Sequence, residues 1–235
     1  MTTPPPGAEL IAVAGALTPV TFKRSARAKR ISLRLDTARN GVLITLPERA
    51  TRRAGLALLQ AHEGWVAEKL AALPRALKLE AGAHVPVQGV AHLITPAPGA
   101  RGGAWLEDGA IMVTGEAAFL SRRVADCLKR LARQELTARA AAKAQLAGLK
   151  PKTVRIKDTR TRWGSCAPDG TLAFCWRLIC APGFVQDYVV AHEVAHLGHM
   201  NHSPAFWALT ETLTPHRAQA TRWLTDNGLE LLRIG

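Results

Sequence analysis

Aromatic residues are scarce in this chain of 235 residues, at 5% of the composition, and acidic residues are outnumbered by basic ones, 18 to 31. Hydrophobic residues make up 48%, which is ordinary for a globular protein and excludes a wholly disordered or collagen-like chain. A chain of this length can bury about 70 to 75% of its unfolded surface, so it needs neither disulfides nor a structural metal merely to fold. A metal site would therefore have a chemical purpose.

Long apolar runs are also missing. The most apolar early stretch, Leu10 to Leu17, is far shorter than the roughly 20 residues that a membrane-spanning helix needs. Residues 1–9 contain no Lys or Arg and carry three consecutive prolines, which is untypical of a secretory signal. The sequence therefore predicts a flexible terminus and a first strand within residues 1–20, and no membrane partner.

Cysteine occurs only four times, and no pair has the two-residue spacing of a zinc knuckle. Reduced, mostly buried thiols in a cytoplasmic protein are predicted. Cys166 follows Ser165 and could be read as a nucleophile. Because no base lies near it in sequence, a buried structural thiol is the favoured interpretation.

Positive charge, +13 in total, is concentrated between Lys23 and Arg53, where only Asp36 and Glu48 oppose ten cations. Apolar residues alternate on both sides of Asn40-Gly41, which predicts a basic β-hairpin ending at Pro47. Such a surface is typical of nucleic-acid binding, although it has no aromatic residues for base stacking. A basic surface that only aids solubility is the alternative.

Apolar periodicity predicts a helix over Thr51–Leu73, short strands over His84–Val113, and a long helix from Leu120 to Gly148. The apolar stripe of the long helix is predicted to comprise Leu120, Val124, Leu128, Leu131, Ala138 and Ala142. Glu135 falls on this stripe, where an ion pair with Arg139 is favoured over a hydrogen bond to a metal-binding histidine.

Two strands, Val154–Lys157 and Thr171–Cys175, are predicted before Pro182, which suits a first helical position. Residues 184–197 then read as a helix that is apolar on nearly every side and hence buried.

This helix contains the sequence HExxH, at His192, Glu193 and His196. Histidines four apart lie on one helix face and can offer two imidazole nitrogens to one Zn²⁺. The glutamate lies beside that position, where it can accept a proton from water that the metal activates. Ordinary polar histidines on a partly exposed helix are the competing interpretation.

A third histidine, His202, strengthens the metal hypothesis, because Gly198 and Asn201 can break the helix and return the chain toward the metal. Three protein ligands with an open fourth position are typical of catalytic zinc. His199 is an alternative ligand, but a supporting or exposed role is favoured for it. One Zn²⁺ per chain is therefore predicted, held by His192, His196 and His202.

These residues, with Asn201-His202-Ser203, Phe206-Trp207 and the upstream Arg162-Trp163-Gly164-Ser165-Cys166, resemble the YgjP-like metallopeptidase family of zincin-type hydrolases. The resemblance implies that the three histidines bind the metal and that Glu193 is the general base. It also implies that Arg162 and Trp163 run beside the cleft and contact substrate, although packing is the simpler role. Phe206 and Trp207 are expected to pack around the metal loop.

We therefore expect an α+β chain with a β-rich N-terminal part, basic over 21–115, and a minimal zincin-like metal-dependent hydrolase part over 116–235. The predicted enzyme is a zinc metallopeptidase. One alternative is a nucleotide pyrophosphatase or phosphohydrolase on the same metal site, for which several arginines would converge on the metal. These are Arg155, Arg160, Arg162 and Arg177. A second alternative is a nucleic-acid-associated protein acting through the basic hairpin.

Overall fold

The computed structural model describes residues 7–37 and 39–235 and confirms an α+β chain. It divides into two compact units, Met1–Arg75 and Ala76–Gly235, called here the N-terminal and C-terminal units. The functional division that the sequence predicts at residue 115 stays a prediction. The boundary between the two compact units lies earlier, after Arg75. The flexible terminus predicted for the first residues falls, over residues 1–6, outside the described residues.

The N-terminal unit is built on a sheet of order β1-β2-β4-β3. Its strands are β1 (Ala8–Val13), β2 (Ala16–Arg24), β3 (Ser32–Asp36) and β4 (Gly41–Leu46). The antiparallel pairing of β3 with β4 confirms the predicted hairpin, and Asn40 in its turn has a φ of 48°. A Cβ on Gly41 would lie 2.3 Å from the Pro19 carbonyl oxygen, so only glycine lets β4 approach β2 here.

Two helices cover this sheet instead of the single one predicted over 51–73. They are α1 (Arg52–Ala61), capped by the Thr51 side chain, and α2 (Glu63–Ala71). The helix breaks at His62, whose φ of −120° is not helical. The break lets α1 contact β3 and β4 while α2 contacts β1, an arrangement that periodicity along the chain does not encode. Val20, Ile44 and Val66 are among the side chains buried between the layers.

A second four-stranded sheet begins the C-terminal unit. It comprises β5 (His84–Val87), β6 (Val90–Pro96), β7 (Ala104–Glu107) and β8 (Ala110–Val113). Its order, β5-β6-β8-β7, repeats that of the first sheet, again with a parallel central pair between antiparallel outer pairs. The predicted short strands are confirmed.

The long helix α3 (Leu120–Leu146) follows a 3₁₀ turn and packs against β7 and β8. The predicted stripe is wrong at Ala138 and Ala142, which are exposed. The buried face instead proceeds by steps of four through Ala132, Leu136, Ala140 and Ala144. Because four residues exceed one 3.6-residue turn, this face rotates gradually around the helix, which allows α3 to contact α4 further along.

A three-stranded sheet of order β10-β11-β9 lies next along the chain, with β9 and β11 parallel. Its strands are β9 (Thr153–Lys157), β10 (Gly164–Cys166) and β11 (Thr171–Cys175). Strands β9 and β11 were predicted from the sequence, whereas β10 was not. It forms the edge of the sheet and pairs antiparallel with β11.

Three helices complete the unit: α4 (Gly183–Ala195), α5 (Pro204–Leu213) and α6 (Arg217–Leu232). Pro182 immediately precedes α4, and the helix is buried as predicted, with Val185, Val190 and Val194 fully inside. The four cysteines are free thiols. Among the described residues no helix has the length and apolar character to cross a membrane. The cytoplasmic location stays a prediction.

Candidate metal centre

Three histidine side chains converge at the end of α4. His192 and His196 lie one turn apart, with ring centroids separated by 4.9 Å. The chain then reverses and brings the His202 ring to 5.1 Å from His192 and 4.8 Å from His196. One nitrogen from each ring lies within 4.8 Å of the others, so the three rings could hold one metal ion.

The nitrogen positions fit metal coordination. Nε2 of His192 and Nε2 of His202 are 3.2 Å apart, close to the distance of about 3.3 Å expected for two nitrogens on one tetrahedral Zn²⁺. Nδ1 of His196 donates a hydrogen bond to the His199 carbonyl at 3.0 Å, which leaves Nε2 as the free nitrogen of that ring. Nδ1 of His192 is buried, with no hydrogen-bond partner among the described residues.

The turn that returns His202 is held by short-range hydrogen bonds. The Asn201 side chain accepts from the Ser203 N–H, and the Ser203 hydroxyl accepts from the Phe206 N–H as the cap of α5. Gly198 does not adopt a positive φ, so it is not needed for a left-handed turn. His199 contributes its backbone carbonyl, while its side chain is not part of the cluster.

Aromatic rings enclose the histidines from the α5 side. Phe206 is fully buried, and its ring lies 4.5 to 5.0 Å from each of the three imidazoles. Trp207 stacks on His202, with centroids 5.5 Å apart and ring planes at 25°. The Arg217 guanidinium in turn lies 3.7 Å above the Trp207 ring. These packed rings fix the orientation of His202, which belongs to a loop.

Burial favours the neutral state that metal binding requires. The pKa of His192 falls to about 4, because the ring is buried and because positive charge on the neighbouring His196 would repel its own. Burial also lowers the pKa of His196, against the opposing effect of its hydrogen bond to His199. Both rings are therefore neutral at pH 7, as metal ligands must be.

Glu193 lies beside the histidines but points toward strand β10. Its side chain is buried, with 6% exposed, and burial raises the pKa of its carboxyl to about 7 against the opposing pull of the Arg162 guanidinium. A Cβ on Gly164 would lie 2.5 Å from both Cγ and Oε1 of Glu193. The carboxylate thus occupies the space that a side chain at position 164 would take.

The site opens into a cleft of about 430 Å³. Its lining includes Arg162, Trp163, Gly164, Tyr188, His192, Glu193, Thr221 and Thr225. Both residues predicted to contact substrate, Arg162 and Trp163, therefore lie at the cleft. Trp163 also packs against the hydrophobic core, so the packing role considered for it is present as well.

Among the described residues no strand pairs with the outer edge of β10, whose Gly164 lines this cleft. The neighbouring backbone hydrogen bonds to β11 are made by the Trp163 carbonyl and the Ala167 N–H. Since backbone groups alternate in direction along a strand, those of Gly164 and Cys166 point away from β11. An extended chain could pair with this edge beside Glu193.

Other candidates from the sequence lie away from the chemistry. Arg177 is buried, donating to the Ile234 carbonyl and to Asp158. Glu135 pairs with Arg139 at 2.7 Å, as favoured. Burial, reinforced by Glu193, raises the pKa of the Cys166 thiol, which opposes a nucleophilic role.

A buried polar network, missed from the sequence, anchors α4. Lys143 on α3 lies 2.7 Å from Asp187 of α4 and donates to the Leu213 carbonyl at 2.7 Å. The Thr214 hydroxyl donates to the other Asp187 oxygen at 2.6 Å. One network thus ties α4 to α3 and to the end of α5. Tyr188 was also missed, although its position four residues before His192 places it on the same helix face.

The chain is similar to known proteins through a family model and through a solved structure. A family model described as YgjP-like, metallopeptidase domain, matches residues 29–227. Among the curated proteins no match was found. A similar solved structure is the crystal structure of the metallopeptidase zymogen of Pyrococcus abyssi abylysin, at 20% identity and a TM-score of 0.36, covering 39% of this chain and 93% of that chain. The family match includes the basic hairpin as well as the histidine cluster.

Proposed function

The chain belongs to the YgjP-like metallopeptidase family and is a metal-dependent hydrolase, and on that premise we propose a zinc peptidase with Glu193 as its general base. The proposed ligands of the single Zn²⁺ are His192, His196 and His202. The observation that supports this proposal most directly is that the three rings and the buried Glu193 carboxyl line or adjoin one cleft. Three imidazoles with an open fourth position suit catalytic zinc.

The proposed chemistry is hydrolysis of a peptide bond. When bound, Zn²⁺ supplies Lewis acidity toward the scissile carbonyl and lowers the pKa of the attacking water. Glu193 accepts a proton from that water while the water oxygen bonds to the carbonyl carbon. As the C–N bond breaks, Glu193 passes the proton to the leaving nitrogen. Burial suits the carboxyl to this exchange, because it brings the pKa to about 7.

The surroundings favour a peptide over a phosphate ester. Arg177 is held inside the fold, and Arg160 lies 3.6 Å from Asp158. Of the four arginines whose convergence would indicate a phosphate site, Arg162 is the one that lines the cleft. The free edge of β10 instead matches an extended backbone, which would add as a further strand.

Two variants test the assignment together. Glu193→Gln should retain zinc, because Glu193 is not a ligand, yet lose at least about a hundredfold in kcat/KM toward a peptide substrate. His202→Ala should lose most of its zinc, while His199→Ala, the matched control, should retain it. Elemental analysis of protein purified without added metal, together with peptide turnover, provides both measurements.

Two results would contradict the proposal. Full turnover by Glu193→Gln removes the glutamate from the mechanism. Full zinc occupancy in His202→Ala, together with loss in His199→Ala, transfers the third ligand to His199.

A second candidate function, binding of a nucleic acid, rests on the cations of the N-terminal unit. Lys29, Arg30 and Arg34 are exposed and form no ion pair among the described residues. Binding would be electrostatic and insensitive to sequence.

A further inference from the structure

The catalytic cleft does not end at the histidines but continues along α6. Thr221 and Thr225 line both the cleft at Glu193 and a second cavity of about 720 Å³. Arg217, four residues before Thr221, lines this second cavity and lies on the same face of the helix. The two cavities therefore form one groove, called here the α6 groove, which leads away from the site.

Uncompensated charge in the α6 groove is positive. Its acidic residues are Glu193, the proposed base, and Glu211, which pairs with Arg217 at 2.6 Å. Arg162 at one end and Arg222 at the other are exposed and form no ion pair among the described residues. Arg222 therefore has guanidinium donors available to a ligand in the groove.

We propose that the α6 groove binds a carboxylate of the substrate peptide, and that Arg222 determines this specificity. The inference rests on the proposed peptidase function and names its substrate class: peptides that carry a negative charge in the segment that occupies the α6 groove. The carboxylate belongs either to an Asp or Glu side chain or to the C-terminus of the peptide. Both sources present the same planar pair of oxygens.

Arginine suits this role for a geometric reason. A guanidinium donates two parallel hydrogen bonds to a carboxylate, which fixes the orientation as well as the charge of the ligand. Arg217 is already oriented by the Trp207 ring and by Glu211, and it adds positive potential near His192. Arg222 is solvent-exposed, so the preference for a charged peptide should be moderate and should weaken with salt.

Binding to metal-loaded Glu193→Gln protein separates recognition from hydrolysis. A short neutral peptide, amidated at its C-terminus, carries Glu, Gln or Lys at each position in turn, and its affinity is measured by fluorescence anisotropy at low salt. In a further series, Gln peptides are truncated so that a free C-terminal carboxylate falls at each of these positions in turn. We expect the Glu or the free-carboxylate series to bind about three- to tenfold tighter than the amidated Gln series at one or two positions. Which series gains identifies the source of the carboxylate.

Charge reversal assigns the effect to the groove. Arg222→Glu, added to the Glu193→Gln protein, should remove the preference for the carboxylate and favour the Lys peptide. Arg133→Glu, an exposed position on α3 that does not line the groove, changes the net charge equally and should keep the preference.

Equal affinities across the series, or a preference that survives Arg222→Glu, overturn the inference. Turnover of the same peptides by the wild-type holoenzyme reports separately on the proposed function. If no peptide is cleaved while the carboxylate preference follows Arg222, the peptidase proposal fails and the anion site stands. If the peptides are cleaved but none is preferred, the peptidase proposal stands and the anion site is rejected.

Discussion

The two compact units contain four-stranded sheets of the same strand order, but they use charge differently. The N-terminal unit carries 12 Lys and Arg against 5 Asp and Glu in 75 residues, while the C-terminal unit carries 19 against 13 in 160. Net charges of +7 and +6 therefore fall on units that differ about twofold in length. The smaller unit holds the denser charge.

The position of the cations also differs. In the C-terminal unit, Lys143 and Arg177 are buried and paired with carboxylates, so they belong to the interior of that unit. The ion pairs described in the N-terminal unit lie at its surface, as between Arg52 and Glu9. Within the described residues, the cluster of possible metal ligands lies in the C-terminal unit. The two units thus share a sheet order but differ in the burial of their cations and in possible metal ligands. These features therefore do not follow from the sheet order.

Removal of a buried cation should have the largest effect. Lys143→Met leaves Asp187 partly buried without its closest cation and removes the donor to the Leu213 carbonyl. We expect a loss of about 3 kcal/mol in the free energy of unfolding. Urea denaturation measures it, and hydrogen exchange should place the loss in the C-terminal unit.

Lys152→Met is the control for this prediction. Its ion pair with Asp169 is exposed, so stability should not change measurably. Equal stability of both variants would mean that the buried network does not hold α4 in place.

The next effect concerns activity without a comparable loss of stability. Gly164→Ala places a Cβ where the Glu193 side chain now lies, so the carboxyl must move away from its position. Since Glu193 has a flexible side chain, folding should be little affected, while kcat/KM should fall about tenfold to a hundredfold. Gly183→Ala is the control, because the nearest heavy atom to its Cβ is 3.7 Å away. Wild-type turnover by Gly164→Ala would show that the position of Glu193 is not constrained by β10.

The contrast between Glu193 and Gly164 also shows what sequence can predict. The proximity of His192 and His196 could be predicted because helix geometry alone places them on one face, and that of His202 because the segment that returns it is short. Gly164 was missed as a site residue because its role comes from contact with Glu193, 29 residues away. Likewise, strand β10 is too short for an alternating pattern to indicate it.

The same limit applies to the fold. The basic hairpin was predicted because adjacent strands and an Asn-Gly turn are local features. The helix break at His62 and the rotating buried face of α3 were not, because each depends on which distant element the helix contacts. The buried Lys143 gave no signal, since its partner Asp187 lies on another helix.

The smallest effect is expected from exposed cations, whose removal should leave both folding and zinc content unchanged. If the N-terminal unit binds a polyanion, affinity for DNA or RNA should fall steeply with salt, because each neutralised phosphate releases a counterion. Neutralising Lys29, Arg30 and Arg34 together should flatten the salt dependence of log K by up to about three units. Titrations between low and physiological salt measure this slope.

A second triple variant tests whether the location of the charge matters or only its amount. Lys78, Arg133 and Lys150 are exposed cations of the C-terminal unit, and their neutralisation changes the net charge equally. If the hairpin is the binding surface, this variant keeps the wild-type slope. Equal flattening by both variants would indicate attraction by net charge alone, and no detectable affinity at about 50 mM salt would leave the basic stretch as a solubility feature. In either of those cases the contrast between the units would concern stability and catalysis only, because the dense charge of the N-terminal unit would then have no ligand of its own.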